Sequence, residues 1–210
     1  MKKPSVSWTA GEKGLLYELD TPGRVQAFVS SLAYDPVGGG RSPRRVMRER
    51  KANCFSGALF AAAALSCHGY PPLLVNLFAE NDDEHILAVF KRDDHWGAAS
   101  KSNFTVLSFR EPVYRTLREL VISYFDLYFN SIGQKTLRSY SKPLNLSRFD
   151  GRGWLTSEYD LDYIADALGK THRYPLVTPE MIGHLEKVDE KLLAAGLVGS
   201  NPEGLYKPKN

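Results

Sequence analysis

Asn53-Cys54-Phe55-Ser56-Gly57-Ala58-Leu59-Phe60-Ala61-Ala62-Ala63-Ala64-Leu65 is the stretch whose reading decides the fold. It carries no charge, and His68-Gly69-Tyr70-Pro71-Pro72 stops it, so the pattern predicts a helix buried on every side. Cys54 opens that helix, where unpaired backbone N–H groups and the helix dipole favour an anion, and a stabilised thiolate is expected there. Cys67 stands at the opposite end, where the dipole has the other sign, and reads as a packed thiol. A straight helix keeps the two sulfurs too far apart for a disulfide.

Downstream, Leu73-Leu74-Val75-Asn76-Leu77-Phe78 reads as a strand, Glu80-Asn81-Asp82-Asp83-Glu84 as an acidic turn, and His85-Ile86-Leu87-Ala88-Val89-Phe90 as a second strand. Lys91-Arg92-Asp93-Asp94 turns the chain into a third strand, His95-Trp96-Gly97-Ala98-Ala99, which runs into Ser100-Lys101-Ser102-Asn103. The order is therefore Cys on a helix, His at the start of a strand, and a polar cluster after the next strand.

This order resembles the transglutaminase-like superfamily, relatives of papain, over about Ser42 to Phe104. The resemblance implies an α+β fold with a papain/transglutaminase-like core, in which the Cys helix packs on an antiparallel sheet. It also implies a nucleophile at Cys54 and a base at His85, with Trp96 in the place of the family's strand Trp. The place of the family's orienting Asp falls on Ser100, a departure, because a hydroxyl accepts a hydrogen bond but cannot offset an imidazolium charge. Asn103 is the other candidate for that place, as in a Cys, His, Asn set. Asn53 is a candidate to help bind the oxyanion beside the Cys54 N–H.

Simpler readings stand beside these. A Cys among Ala and Phe is commonly a small core residue, and His85 after three acids could be a solvated turn residue. One His with adjacent carboxylates lacks the paired ligands of a zinc site, so no metal is expected, and no cofactor.

Earlier in the chain, Thr21 caps a helix that begins at Pro22 and carries Val25, Phe28, Val29 and Leu32 on one face. Asp35-Pro36-Val37-Gly38-Gly39-Gly40-Arg41 lacks the Lys and Ser/Thr of a phosphate loop and reads as a flexible surface loop near the site. Ser42-Pro43 begins a short basic helix, whose arginines read as a solvated face balanced by the acids of Glu80 to Glu84. Met1 to Asp20 gives no clear element beyond a short strand or turn.

Later, Val113 to Phe129 predicts one long helix, Ser139 to Leu146 an edge strand or loop, and Phe149 to Trp154 a turn-rich connection that covers the site. Thr156 or Ser157 would cap a helix to Gly169, and Thr178-Pro179-Glu180 another running through Ile182, Leu185, Val188 and Leu192. His172 and His184 read as surface residues, and the last residues from Asn201 as loose. The expectation is a single domain over residues 1–210, with a core at about 22–110 and a helical extension at about 111–200.

With 210 residues, 43% of them hydrophobic and 24% charged, the chain can bury an ample core, and a net charge of +3 is too mild to imply nucleic acid. Met1-Lys2-Lys3-Pro4 begins no apolar signal segment and no stretch is long enough to span a bilayer, so a cytoplasmic protein with reduced thiols is expected. Cysteine-dependent acyl transfer on a peptide, protein or small amide or ester is the function these expectations imply. The competing class is a catalytically weak binding or scaffold protein on the same fold, favoured by Ser100.

Overall fold

The computed structural model describes residues 8–209. The reading of Met1 to Ser7 lies outside the described residues. The chain forms an α+β fold with helices packed on an antiparallel sheet. In chain order the elements are α1 (Ala10–Glu18), α2 (Pro22–Ser31), β1 (Ala33–Tyr34), α3 (Pro43–Glu49), β2 (Lys51–Ala52), α4 (Cys54–Ser66), β3 (Leu73–Ala79), β4 (His85–Arg92), β5 (His95–Ala99), β6 (Arg110–Tyr114) and α5 (Leu117–Phe125). They continue as β7 (Leu137–Ser141), β8 (Leu144–Asn145), α6 (Asp162–Gly169), β9 (Arg173–Pro175), α7 (Pro179–Ile182) and α8 (Glu190–Leu197).

Local chemistry sets many of the starts. Thr21 and Ser42 each accept a backbone N–H of the first turn, with Pro22 and Pro43 inside it, where a missing N–H costs nothing. Thr9 and Glu12 form a reciprocal capping box that starts α1, where the sequence suggested only a strand or turn.

The main sheet runs β6-β5-β4-β3-β7-β9, with β8 also paired to β3, and every pairing is antiparallel. α4 lies on one face, against Leu74, Ile86, Ala88 and Phe90. On the other face, Leu120, Val121 and Tyr124 of α5 close over Val75, Leu77, Leu87 and Val89. Because both faces are covered, β3 and β4 read as nearly continuous apolar runs instead of alternating ones.

Beyond Phe104 the chain departs from several expectations, first because residues there add strands to this sheet. The long helix expected from Val113 is shorter, because Arg110 to Tyr114 pair with β5 and α5 begins only after Thr116, whose side chain accepts the Glu119 N–H. The region from about 111 to 200 is therefore not a helical extension. β7 lies between β3 and β9, so Ser139 to Ser141 are interior to the sheet, and Pro143 falls in the connection to β8. α6 starts at Asp162 without a side-chain cap, and the helix expected from Thr178 to Leu192 is two short ones, α7 and α8. Phe149 to Trp154 form part of a 3-10 turn near the end of α4 opposite to Cys54, where Trp154 is buried, so they do not cover the site. His172 and His184 are exposed, as read.

α4 approaches its surroundings most tightly at Gly57, where a Cβ would come within 2.5 Å of Lys101 Cβ. Alanine in a helix interior is favoured over glycine by about 1 kcal/mol, but forcing a methyl into a filled gap costs about 1–3 kcal/mol. Gly57→Ala is therefore expected to lower unfolding free energy in urea, and an unchanged or raised value would mean that the segment after β5 yields freely.

Candidate functional site

The first turn of α4 is fixed by its cap. Asn53 Oδ1 accepts the Ser56 N–H at 2.8 Å, and Asn53 Nδ2 donates to the Gly39 carbonyl at 3.0 Å. Ser56 Oγ donates to the same carbonyl at 3.0 Å and accepts the Arg41 N–H at 3.0 Å. The glycine loop is thus pinned to the helix start, not left flexible. Gly38 and Gly39 have φ of +82° and +87°, which suits glycine, and a Cβ on Gly39 would meet the Asp160 carboxylate. Asn53 lines the cavity and its amide fixes this cap and loop through Oδ1 and one Nδ2–H, which leaves the second Nδ2–H without a role in the cap.

Cys54 is partly exposed in the same cavity. Its thiol donates to the Glu84 carbonyl at 3.8 Å, and the backbone N–H groups of Ile86, Phe55 and Cys54 itself favour an anion on the sulfur. These donors favour a thiolate, while burial and the nearby Asp83 disfavour it, and burial prevails: the thiol is pushed up to about 11. The expected stabilised thiolate is therefore absent from this state, because desolvation outweighs the helix terminus.

His85 is buried at the start of β4. Its Nε2 lies 3.1 Å from the Leu107 carbonyl and 3.1 Å from Ser100 Oγ. A carbonyl only accepts, so Nε2 carries the proton and Nδ1 is the basic atom. Ser100 Oγ donates to the Leu107 carbonyl at 3.0 Å, which leaves its lone pairs to receive the imidazole N–H. Ser100 is itself held by Gln26 of α2: the Ser100 N–H donates to Gln26 Oε1 at 2.9 Å, and Gln26 Nε2 donates to the Ser100 carbonyl at 3.0 Å. Burial lowers His85 to about 4, helped by the positive charge of Arg110 and opposed by the Leu107 carbonyl. The imidazole is neutral at ordinary pH.

The other site candidates divide. Asn103 lines the cavity but bonds the backbone of Asn201, at 2.9 and 2.8 Å, and does not orient His85. Trp96 lies in β5, beneath Lys91 and opposite Tyr114, away from the cavity, so the family's strand Trp position is not part of this site. Cys67 is exposed, with its thiol on the Ala63 carbonyl, and is not the packed thiol expected.

The arginines around α3 are taken up by acids other than the expected turn. Arg41 pairs with Asp35 and Glu49, Arg44 with Glu12, Arg45 with Glu49 and Asp160, and Arg48 with Glu158 and Glu49.

The cavity holds about 280 Å³. Asp35, Asp82, Asp83 and Glu84 line it, and no Lys or Arg does among the described residues. Burial raises Asp82 to about 6, against the hydrogen bond donated by Thr136, and also raises Asp83. Tyr128 is buried beside them, donates its hydroxyl to the Asp83 carbonyl at 2.7 Å, and is pushed far above the ordinary phenol range. Gly204 and Tyr206 close part of the cavity, although the sequence suggested a loose end there. Those contacts join residues about a hundred positions apart and leave no local pattern. Among the described residues no three His, Cys, Asp or Glu are grouped as a metal site, and no helix is long and apolar enough to cross a membrane.

Comparison with known families finds no match, and comparison with curated proteins finds none either.

His85 and Asp82 affect stability with opposite signs. As pH falls from about 6.5 toward 4, the unfolded imidazole takes up a proton that the folded one refuses, so stability is lost. Over the same range the folded Asp82 carboxyl, at about 6 against an ordinary 3.8, binds a proton before the unfolded one does, so stability is gained. Urea unfolding at pH 7 and pH 4 is expected to show Asp82→Asn losing about 2 kcal/mol more on acidification than the parent chain, each pKa unit being worth about 1.4 kcal/mol. Equal losses would mean that the Asp82 carboxyl titrates alike in the folded and unfolded chain.

Proposed function

We propose that the cavity is a cysteine acyl-transfer site of the transglutaminase-like kind, acting on an amide or ester carbonyl. The observation that carries this reading is the commitment of His85 Nε2–H to Leu107 and Ser100, which leaves Nδ1 as the imidazole's basic atom in the cavity that Cys54 enters.

Burial pushes the thiol up to about 11 and the imidazole down to about 4, so both groups are neutral at rest. The mechanism is therefore general-base attack and not reaction of a standing thiolate. The thiol gives up the Glu84 carbonyl, its proton passes to Nδ1 as the S–C bond forms, and the carbonyl oxygen becomes an oxyanion. The backbone N–H groups of Cys54, Phe55 and Ile86, which favour negative charge at the sulfur, are the donors this reading assigns to that oxyanion. The C–N or C–O bond then breaks as Nδ1–H returns the proton to the leaving group. Water or an amine, deprotonated by the same nitrogen, resolves the thioester and restores the thiol.

The second reading is a binding protein with this fold and little turnover. The neutral imidazole, oriented by a hydroxyl and a carbonyl with no carboxylate, favours it.

The two separate on exposure to p-nitrophenyl acetate. Acyl transfer places the acetyl group on the Cys54 peptide by mass spectrometry, with nitrophenol release falling about 100-fold or more in His85→Ala. Exposed Cys67 is the internal control. Equal labelling of the two thiols, unaffected by His85→Ala, would leave the binding reading.

A further inference from the structure

The segment Asn201–Lys209 crosses the mouth of the site, and its contacts have an unusual chemistry. Asn103 donates Nδ2–H to the Asn201 carbonyl and accepts the Asn201 N–H on Oδ1, at 2.9 and 2.8 Å. Asn81 does the same to Lys209, at 3.0 and 2.7 Å. Each side-chain amide thus engages both backbone hydrogen-bonding groups of one residue, as a neighbouring strand would. Between them, Ser131 Oγ donates to the Tyr206 carbonyl at 3.2 Å. All five bonds go to the segment's backbone, and none to its side chains.

One position is also selected by size. After a 3-10 turn at Pro202–Gly204, the chain passes so close to Tyr34 that a Cβ on Gly204 would fall 2.4 Å from the Tyr34 ring and 3.2 Å from Asn103 Nδ2. Gly204 lines the cavity together with Cys54 and His85.

The geometry points to a polypeptide-binding groove, running from Asn103 past Tyr34 to Asn81, that recognises backbone amides and admits glycine at its narrowest point, with Asn201–Lys209 as its internal occupant. It names the substrate class of the acyl-transfer reading and rests on that reading for any chemistry, whereas the binding itself does not require it. Recognition through the backbone makes the groove tolerant of sequence, and the constriction supplies its one selective position.

The test uses the full chain carrying Cys54→Ala, so that turnover plays no part, and a fluorescein-labelled peptide of residues 200–209 read by fluorescence anisotropy. Gly204→Val evicts the internal segment without altering the groove, and is expected to bind the peptide at least tenfold more tightly than the chain with Gly204 intact. A peptide with Val at the Gly204 position should gain nothing from that eviction. If Gly204→Val does not fold, Lys209→Pro removes the N–H that Asn81 accepts and should raise peptide affinity, whereas Lys209→Ala, which keeps it, should not. Equal affinity for the peptide before and after eviction, or equal binding of the Gly and Val peptides, would overturn the proposal. In chains that retain Cys54, failure of acetyl transfer with peptide binding intact would reject the chemistry alone.

Discussion

The closeness of an alanine-rich helix to its sheet is the constraint on which the rest depends. Ala58, Ala61, Ala62, Ala63 and Ala64 present methyl groups where leucines would hold neighbouring layers further apart, and α4 is buried along most of its length. That approach brings the first turn of α4 against the start of β4, so that the Cys54 sulfur reaches the Glu84 carbonyl. The cavity is what remains at the edge of this contact, closed by β1 with Tyr34 on one side and by Tyr128 and Phe129 on another. The same packing places Cys54 and His85 in the lining of one cavity, where burial holds both groups neutral.

The imidazole is oriented through a relay that begins well away from it. Gln26 in α2 fixes the backbone of Ser100, Ser100 donates to the Leu107 carbonyl, and both receive the His85 N–H. A hydroxyl in place of a carboxylate supplies direction without charge. The cost of an imidazolium is then not offset, which suits a base that works transiently and not one that stays protonated. Acid is supplied elsewhere: Asp82 and Asp83 face the cavity with raised affinities for protons, and the imidazole rests on neither.

Much of the first hundred residues was legible, because local signals there agree with the tertiary result. Thr21-Pro22, Ser42-Pro43 and Pro71-Pro72 punctuate helices and strands by fixed backbone chemistry, and Cys54, His85 and Ser100 fall where their spacing put them. Beyond Phe104 that agreement ends. Val113 and Tyr114 continue a helical pattern on paper, yet pairing with the preceding strand β5 outweighs it, since the hydrogen bonds of an open sheet edge do not show in local periodicity. Thr9 and Glu12 stand at capping-box spacing, but Gly11 and Gly14 dilute the helix signal around them. The helix terminus at Cys54 is visible in sequence, whereas the burial that outweighs it in setting the thiol's acidity is not. Asn103 was read for its chemistry, and only its partner 98 positions away explains its orientation.

Two kinds of fastening hold this molecule's periphery. Around α3 the joints are ionic, arginine to carboxylate, and dissolved salt screens their exposed members. Where residues beyond Asn201 lie down, and again at Ser100, the joints are carboxamides that carry no net charge. Ionic strength and acidity therefore act on the two unequally: brine loosens the arginine belt yet leaves the uncharged amide latches shut.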